Sequence, residues 1–338
     1  MRLGKGDNME EAAAGTLAMA VAREIAEGRR LGRGDDLGFL LDAPLEALGE
    51  GADLIRHKLS GERVDLCTIL AARSGACSED CAYCAQAARH ATDCSSHGLL
   101  EVDEIVAAGR ASDEGLADRF AIVTSGRALD GPEFERALEA LRRMRDELGI
   151  GLCASMGLLD RARLERLRDA GVTRYHCNIE TSRRHFPRIC TTHAFDDKIA
   201  TIRAAREAGL DVCSGGIIGM GETWEDRLDM ALELAGLGVR SIPLNVLVAI
   251  PGTPLEGLEP LPEDEILRTA AAFRYLVPEA DVRLAGGRRL LPDTGERAFS
   301  FGVSAAITGN MLTTEGPTIA SDRAMLAALG RPAGRNRV

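Results

Sequence analysis

The chain has 338 residues, 45% hydrophobic, 28% charged and 4% aromatic, with a formal net charge of −11. That is enough for one large core or two small ones, and the composition excludes a collagen-like or largely disordered polypeptide. The acidity argues against a general nucleic-acid binder, and no apolar run reaches the roughly 18 residues that a membrane-spanning helix needs. Met1–Asn8 has charges but no apolar stretch of the secretory kind, so a cytoplasmic chain is expected. Nine cysteines, an odd number in a reducing setting, point away from a disulfide framework and towards metal or redox chemistry.

Residues 1–60 predict helices and no strand: Met9–Glu27 is rich in Ala and Glu, and Leu40–Lys58 is apolar at helical spacing. From Val64 the pattern changes to short β-rich runs alternating with amphipathic helices. The predicted strands are Val64–Leu70, Arg119–Thr124, Gly151–Ser155, Thr173–Asn178, Asp211–Gly215, Ser241–Leu247, Ala280–Leu284 and Ala305–Ile307. Predicted helices between them include Pro132–Leu148, Arg161–Ala170, Asp196–Ala208, Trp224–Leu237 and Glu263–Leu276. Four helices run through Gly149, Gly171, Gly209 and Gly238 straight into an apolar strand, as left-handed glycine caps allow. Alternation at about 30 residues per unit implies a parallel sheet, and seven or eight units suggest a TIM-type (β/α)8 barrel. A doubly wound open sheet is the runner-up. The expected organisation is a helical N-terminal extension over 1–60, the barrel over 61–330 and a polar, mobile tail over 331–338.

The sharpest motif is Cys77-Ser-Glu-Asp-Cys81-Ala-Tyr83-Cys84. It follows the first strand, hence sits on a loop at the C-terminal face of the barrel, where this architecture carries its chemistry. Three thiolates at C-x-x-x-C-x-x-C spacing would leave one iron of a cubane iron–sulfur cluster open to a ligand. A structural zinc site would need a fourth ligand, for which Cys94 and His90 are available. A ferredoxin-type carrier usually supplies a fourth cysteine.

This spacing, with an aromatic before the last Cys, resembles the radical S-adenosylmethionine superfamily. Within it, several stretches are similar to the biotin synthase family: Gly75–Gln86, Tyr175–Ser182, Thr191-Thr192, Val212–Thr223, Pro251–Pro254, Val282–Arg288 and Asn310–Thr314. The resemblance runs from about residue 60 to 328. It implies radical insertion of sulfur between C6 and C9 of dethiobiotin, with an auxiliary iron–sulfur cluster as sulfur donor. It also implies an electron donor of flavodoxin or ferredoxin type, and a homodimer.

Carried over one at a time, Cys77, Cys81 and Cys84 look like ligands of the radical-generating 4Fe–4S cluster, and Tyr83 like an aromatic whose backbone holds S-adenosylmethionine. Gly215 and Gly216 would let the cofactor approach the fifth strand, with a tight turn as the plain alternative. Asn178 and Glu180 match an asparagine and an acid on the fourth strand that contact substrate and cofactor, and Asn245 matches a substrate-binding asparagine on the sixth. Lys198 sits where the family often has Arg near the S-adenosylmethionine carboxylate; a solvated helix-face lysine is the alternative.

Cys153, Cys213 and Arg283 fall in the middle of strands whose inward positions are normally filled by Val, Ile and Leu. The resemblance makes them ligands of the auxiliary cluster and places them at the reaction. The common ligand set is three cysteines and one arginine around 2Fe–2S, and its first cysteine falls at Ala121 here. A different cluster, 2Fe–2S or larger, is therefore expected on Cys67, Cys153 and Cys213, completed by Cys190 or Arg283. Strand alternation turns Cys177 towards the helices if His176 and Asn178 face inwards. Cys94 reads as a surface thiol, His185 and His193 as solvated loop histidines, and Arg119 as either a neighbour of the auxiliary cluster or a surface ion pair. Two further readings stay open: another radical enzyme of the same group, of the hydrogenase-maturation or methylornithine-synthase type, and a non-catalytic iron–sulfur scaffold.

Overall fold

A computed structural model describes residues 5–312, 314 and 316–333. The strands are β1 (Asp65–Arg73), β2 (Arg119–Thr124), β3 (Gly151–Ser155), β4 (Val172–His176), β5 (Asp211–Cys213), β6 (Gly216–Ile218), β7 (Ser241–Val246), β8 (Asp281–Leu284) and β9 (Ala305–Ile307). Every pairing is parallel, β1 pairs with both β2 and β9, and β5 and β6 both pair with β7. The sheet therefore closes on itself. β5 and β6 are two halves of the fifth staff, so the barrel has eight staves, as the sequence predicts.

The predicted fifth strand stops short because the chain kinks at Ser214-Gly215. Asn178 Oδ1 accepts the Gly215 N–H at 3.0 Å, and the Gly215 carbonyl accepts from Ile179 and Glu180. A Cβ at Gly215 would lie 2.0 Å from the Pro243 carbonyl oxygen, and one at Gly216 would lie 2.3 Å from that of Glu180. Both glycines are thus demanded by neighbouring backbone.

Helices α4 (Val102–Glu114), α5 (Gly131–Glu147), α6 (Arg161–Asp169), α7 (Phe195–Glu207), α8 (Trp224–Gly236) and α9 (Glu263–Leu276) cover the barrel, and α10 (Ile319–Ala328) follows β9. Gly171, Gly209 and Gly238 do adopt left-handed φ after their helices. Gly149 does not, because Leu148 is already extended when α5 ends. The sequence reading passes over α4 and α10, whose buried faces carry Gly109, Ser112 and Asp322 in place of a continuous apolar stripe.

Before the barrel lie α1 (Lys5–Ala26), α2 (Phe39–Asp42) and α3 (Leu45–Leu59). The single helix expected over Leu40–Lys58 is broken at Pro44, which holds Ala43 extended (ψ 144°) and starts a new helix. These helices pack on α9, where the Tyr275 hydroxyl donates to the Ala18 carbonyl at 3.1 Å. Arg331–Ala333, expected in a mobile tail, are tied down instead: Arg331 pairs with Asp53 at 2.7 Å, and the Pro332 carbonyl accepts from Val64. Residues 334–338 of that expected tail lie outside the described residues. Among the described residues, no helix is long and apolar enough to cross a membrane.

Two contrasts test this packing. Gly215→Ala should cost about 1–3 kcal/mol in urea denaturation by forcing the fifth and sixth staves apart, whereas Gly236→Ala, with open space around its Cβ, should gain roughly 0.5–1 kcal/mol. Asp226 caps α8 and accepts from Ser182 at 2.5 Å and Arg184 at 2.7 Å. Burial opposes its ionisation, yet these bonds and the Thr223 N–H hold its pKa down to about 2. Its carboxylate therefore stabilises the fold fully above the unfolded value of about 4, by about 2 kcal/mol, and that stability is lost as pH falls towards 2. Asp226→Asn should be less stable than the parent at pH 7 and converge with it in acid.

Candidate metal centre

Inward side chains of a TIM barrel form layers of four, drawn from alternate staves. The strand register identifies one such layer. Cys67 pairs through Arg119 with Gly151, and two residues on is Cys153. Cys153 pairs through Arg174 with Asp211, and two residues on is Cys213. Cys213 pairs through Ser241 with Asp281, and two residues on is Arg283. Arg283 pairs through Ala305 with Asp65, and two residues on is Cys67 again. Three thiols and one guanidinium thus make a closed layer on staves one, three, five and seven. Ala121 stands one half-step nearer the C-terminal mouth, with Cys67 and Cys153 packed against it.

All four side chains are buried. Burial opposes the charge on Arg283, but Asp65, Cys67 and Cys213 raise its pKa above the ordinary arginine range. Its guanidinium pairs with Asp65 and donates to the Asp65 and Ala306 carbonyls at 3.1 Å. A hydrogen bond from Cys67, with Arg119 and Arg174 beside it, holds the Cys153 thiol below its usual value; the same bond and burial push Cys67 up. Burial also opposes ionisation of Cys213, but the His176 hydrogen bond and the nearby positive charges outweigh it. The layer is therefore electropositive and favours Cys153 and Cys213 as thiolates, the form in which cysteine binds metal.

A cavity of about 390 Å³ opens from this layer to the mouth. Its rim carries Cys77, Tyr83 and Cys84 from the loop after β1, and its walls carry Asn178, Glu180 and Asn245. The Ser-Glu-Asp spacer of the cysteine motif anchors that loop. Asp80 accepts from the Thr191 N–H at 2.9 Å and from the Thr192 N–H and hydroxyl, and Glu79 accepts from the Thr192 hydroxyl at 2.8 Å. The Cys84 N–H donates to the Cys81 carbonyl at 2.9 Å, so the last two cysteines share one turn. Burial pushes Cys84 up to about 11.

Of the predicted residues, Cys67, Cys153, Cys213 and Arg283 converge on one layer, and Arg119 joins them through Asp65 at 3.2 Å. Cys190 does not. It lies outside the cavity with its Sγ 3.9 Å from Cys81, 3.2 Å from Asp80 and 3.2 Å from His193 Nδ1. Cys81, Cys190 and His193 are close enough to hold an ion together. His193 and His185 are buried, not solvated: His193 Nδ1 lies 2.5 Å from Glu79, and His185 Nε2 lies 3.3 Å from the Met220 carbonyl. Lys198 does not line the cavity and reaches it through Glu180, 3.7 Å away. Asn245 donates to the Gly216 carbonyl and accepts from the Gly286 N–H, which leaves one amide hydrogen for a ligand. Cys177 packs in the outer core, and Cys94 is half-buried beside Ser74. Sequence reasoning missed the inward roles of Arg174 and Asp65. The alternation that turns Asn178 and His176 inwards extends back two residues to Arg174, and from Cys67 back two to Asp65.

Residues 73–234 match the model of the radical SAM superfamily, and residues 243–331 match that of the biotin and thiamin synthesis associated domain. The biotin synthase of Clostridium beijerinckii is 51% identical over 92% of this chain and 98% of its own length. Biotin synthase 2 of Corynebacterium diphtheriae is 50% identical over 88% of this chain and 90% of its own. Among solved structures, a methylornithine synthase superposes with a TM-score of 0.80 at 21% identity, covering 93% of this chain and 97% of the other. An FeFe-hydrogenase maturase from Carboxydothermus hydrogenoformans gives 0.72 at 16%, covering 97% and 81%. At that identity the two structures speak for the fold alone.

Proposed function

The chain belongs to the biotin synthase family of radical S-adenosylmethionine enzymes, and on that premise we propose that it inserts sulfur into dethiobiotin using a cluster held by the inner thiol layer. The observation that carries this reading is the closed layer of Cys67, Cys153, Cys213 and Arg283 beneath a cavity rimmed by Cys77 and Cys84. The donor sets fit two iron–sulfur groups. Soft thiolates suit iron and sulfide, and a buried arginine suits the negative charge of a thiolate-bound cluster.

Cys77, Cys81 and Cys84 would hold an outer 4Fe–4S cluster, and three protein ligands would leave room there for S-adenosylmethionine. When bound, the outer group with S-adenosylmethionine supplies radical hydrogen abstraction, and the inner group supplies sulfur. The chain's own residues bind and shield. The Tyr83 backbone and Glu180 hold the cofactor, and Lys198, 3.7 Å from Glu180, holds that carboxylate in place. Asn178 and Asn245 present amide hydrogens to the dethiobiotin ring. The cavity walls keep water from the radical chemistry. Cys67 takes the place of the ligand missing at Ala121. Cys190, engaged by Asp80 and His193 outside the cavity, is not part of the inner set. The reading includes a one-electron donor of flavodoxin or ferredoxin type, a cytoplasmic setting and a homodimer.

Anaerobic incubation with reductant, S-adenosylmethionine and dethiobiotin, followed by mass spectrometry, should yield biotin with 5′-deoxyadenosine. 5′-Deoxyadenosine without biotin, from protein with an intact inner cluster, would overturn the reading. In reconstituted protein, Cys67→Ala should lose the inner cluster's iron, sulfide and Mössbauer signal and make no biotin, while Cys190→Ala keeps all three. An ordinary 2Fe–2S spectrum unaffected by Cys67→Ala would remove Cys67 from the ligand set.

A further inference from the structure

The thiol layer has a floor. Each of its members has a register partner on the next stave that lies a half-step towards the N-terminal end of the barrel: Arg119, Arg174, Ser241 and Ala305. Arg119 is paired with Asp65, which Arg283 shares. Ser241 Oγ lies 3.3 Å from Cys213 Sγ. Arg174 differs from both. It is 8% exposed and lines the cavity, yet its side chain makes no hydrogen bond or ion pair with any described residue, and its Nε is fully buried without a partner. With Nε buried and unpartnered and no carboxylate of the described residues within ion-pair distance, this guanidinium is under-satisfied by the polypeptide, and an anion in the cavity would complete it.

The register says which anion. Arg174 lies below Cys153, whereas the mouth side of the thiol layer is formed by Ala121, His176, Pro243 and Ile307. A substrate entering from the mouth meets whatever the thiols hold before it reaches Arg174.

We propose that Arg174 is a positioning residue for the inner iron–sulfur cluster, floored by its guanidinium and hydrogen-bonded through it to inorganic sulfide. This rests on Cys67, Cys153 and Cys213 being the cluster's ligands. Arg174 and Arg283 then bracket one anion from two directions, with Asp65 left to Arg119 and Arg283. A fixed cation with N–H donors next to sulfide favours the reduced, more negative state of a cluster, so Arg174 raises its reduction potential.

The test compares wild type, Arg174→Gln and Arg174→Lys after anaerobic reconstitution with iron and sulfide. Iron and sulfide per chain are counted, and the inner cluster is titrated potentiometrically under visible and EPR detection. Arg174→Gln should shift the inner potential to more negative values or lose that cluster's iron and sulfide. Arg174→Lys, which keeps the charge but not the fork, should recover part of the shift. Should Arg174→Gln yield no soluble protein, the Lys variant decides, and an unchanged potential overturns the assignment. Wild-type iron, sulfide and potential in Arg174→Gln also overturn it, including the case in which only the KM for dethiobiotin rises. A wild-type protein with no second cluster overturns both this proposal and the reading beneath it; a second cluster indifferent to Arg174 overturns this proposal alone.

Discussion

The arrangement of this barrel's interior depends on its shear. Alternate staves advance by two residues relative to their pairing, four times around, and the circuit closes on the residue where it began. This constraint gathers Cys67, Cys153, Cys213 and Arg283, which are as much as 216 positions apart in the sequence, into one plane. It also brings the Cys67 thiol into the layer while Ala121 stands where the family resemblance would put a cysteine. The change moves a thiol from the second stave to the first and down a half-step, and it completes a layer on the odd staves.

Electrostatics then govern what that layer can hold. Three arginines face it and one carboxylate answers them. Asp65 remains ionised in spite of burial, its pKa near 2, because Arg283, Arg119 and Arg174 surround it. The excess positive charge is tolerable only with anions in the layer, and thiolates around an iron–sulfur core are such anions. Hydrogen bonds from Cys67 and His176, with the nearby positive charges, hold the Cys153 and Cys213 thiols below their usual value, so metal binding does not have to overcome the full cost of ionising these two buried thiols.

At the mouth, the loop after the first stave is held from the opposite side of the barrel. Glu79 and Asp80 spend their oxygens on Thr191, Thr192 and His193, so the spacer between the first two cysteines acts as a clamp. The clamp buries Cys190 and His193 as well, which is why neither is a solvated loop residue. The kink at Ser214-Gly215 plays a related part. It borrows the Asn178 side chain to satisfy a broken ladder, which fixes Asn178 at the cavity wall.

Much of this was legible from residues in order. Period-two apolar runs and glycine-ended helices specify eight strands and their alternation, because both are local properties of a chain that must bury one face. The cysteine triad at the mouth is legible for the same reason: its spacing lies within one loop. Cys153, Cys213 and Arg283 stand out as polar residues in apolar strands. The positions of Cys67 and Cys190 were not legible, because a thiol on the first strand and one after the fourth look equally available until the register is known. Only the closed barrel sets that register, by hydrogen bonds between strands distant in sequence. It places Cys67 in the layer, leaves Cys190 outside the cavity against Cys81, and puts Arg174 beneath the thiols with no hydrogen-bond or ion-pair partner for its side chain among the described residues.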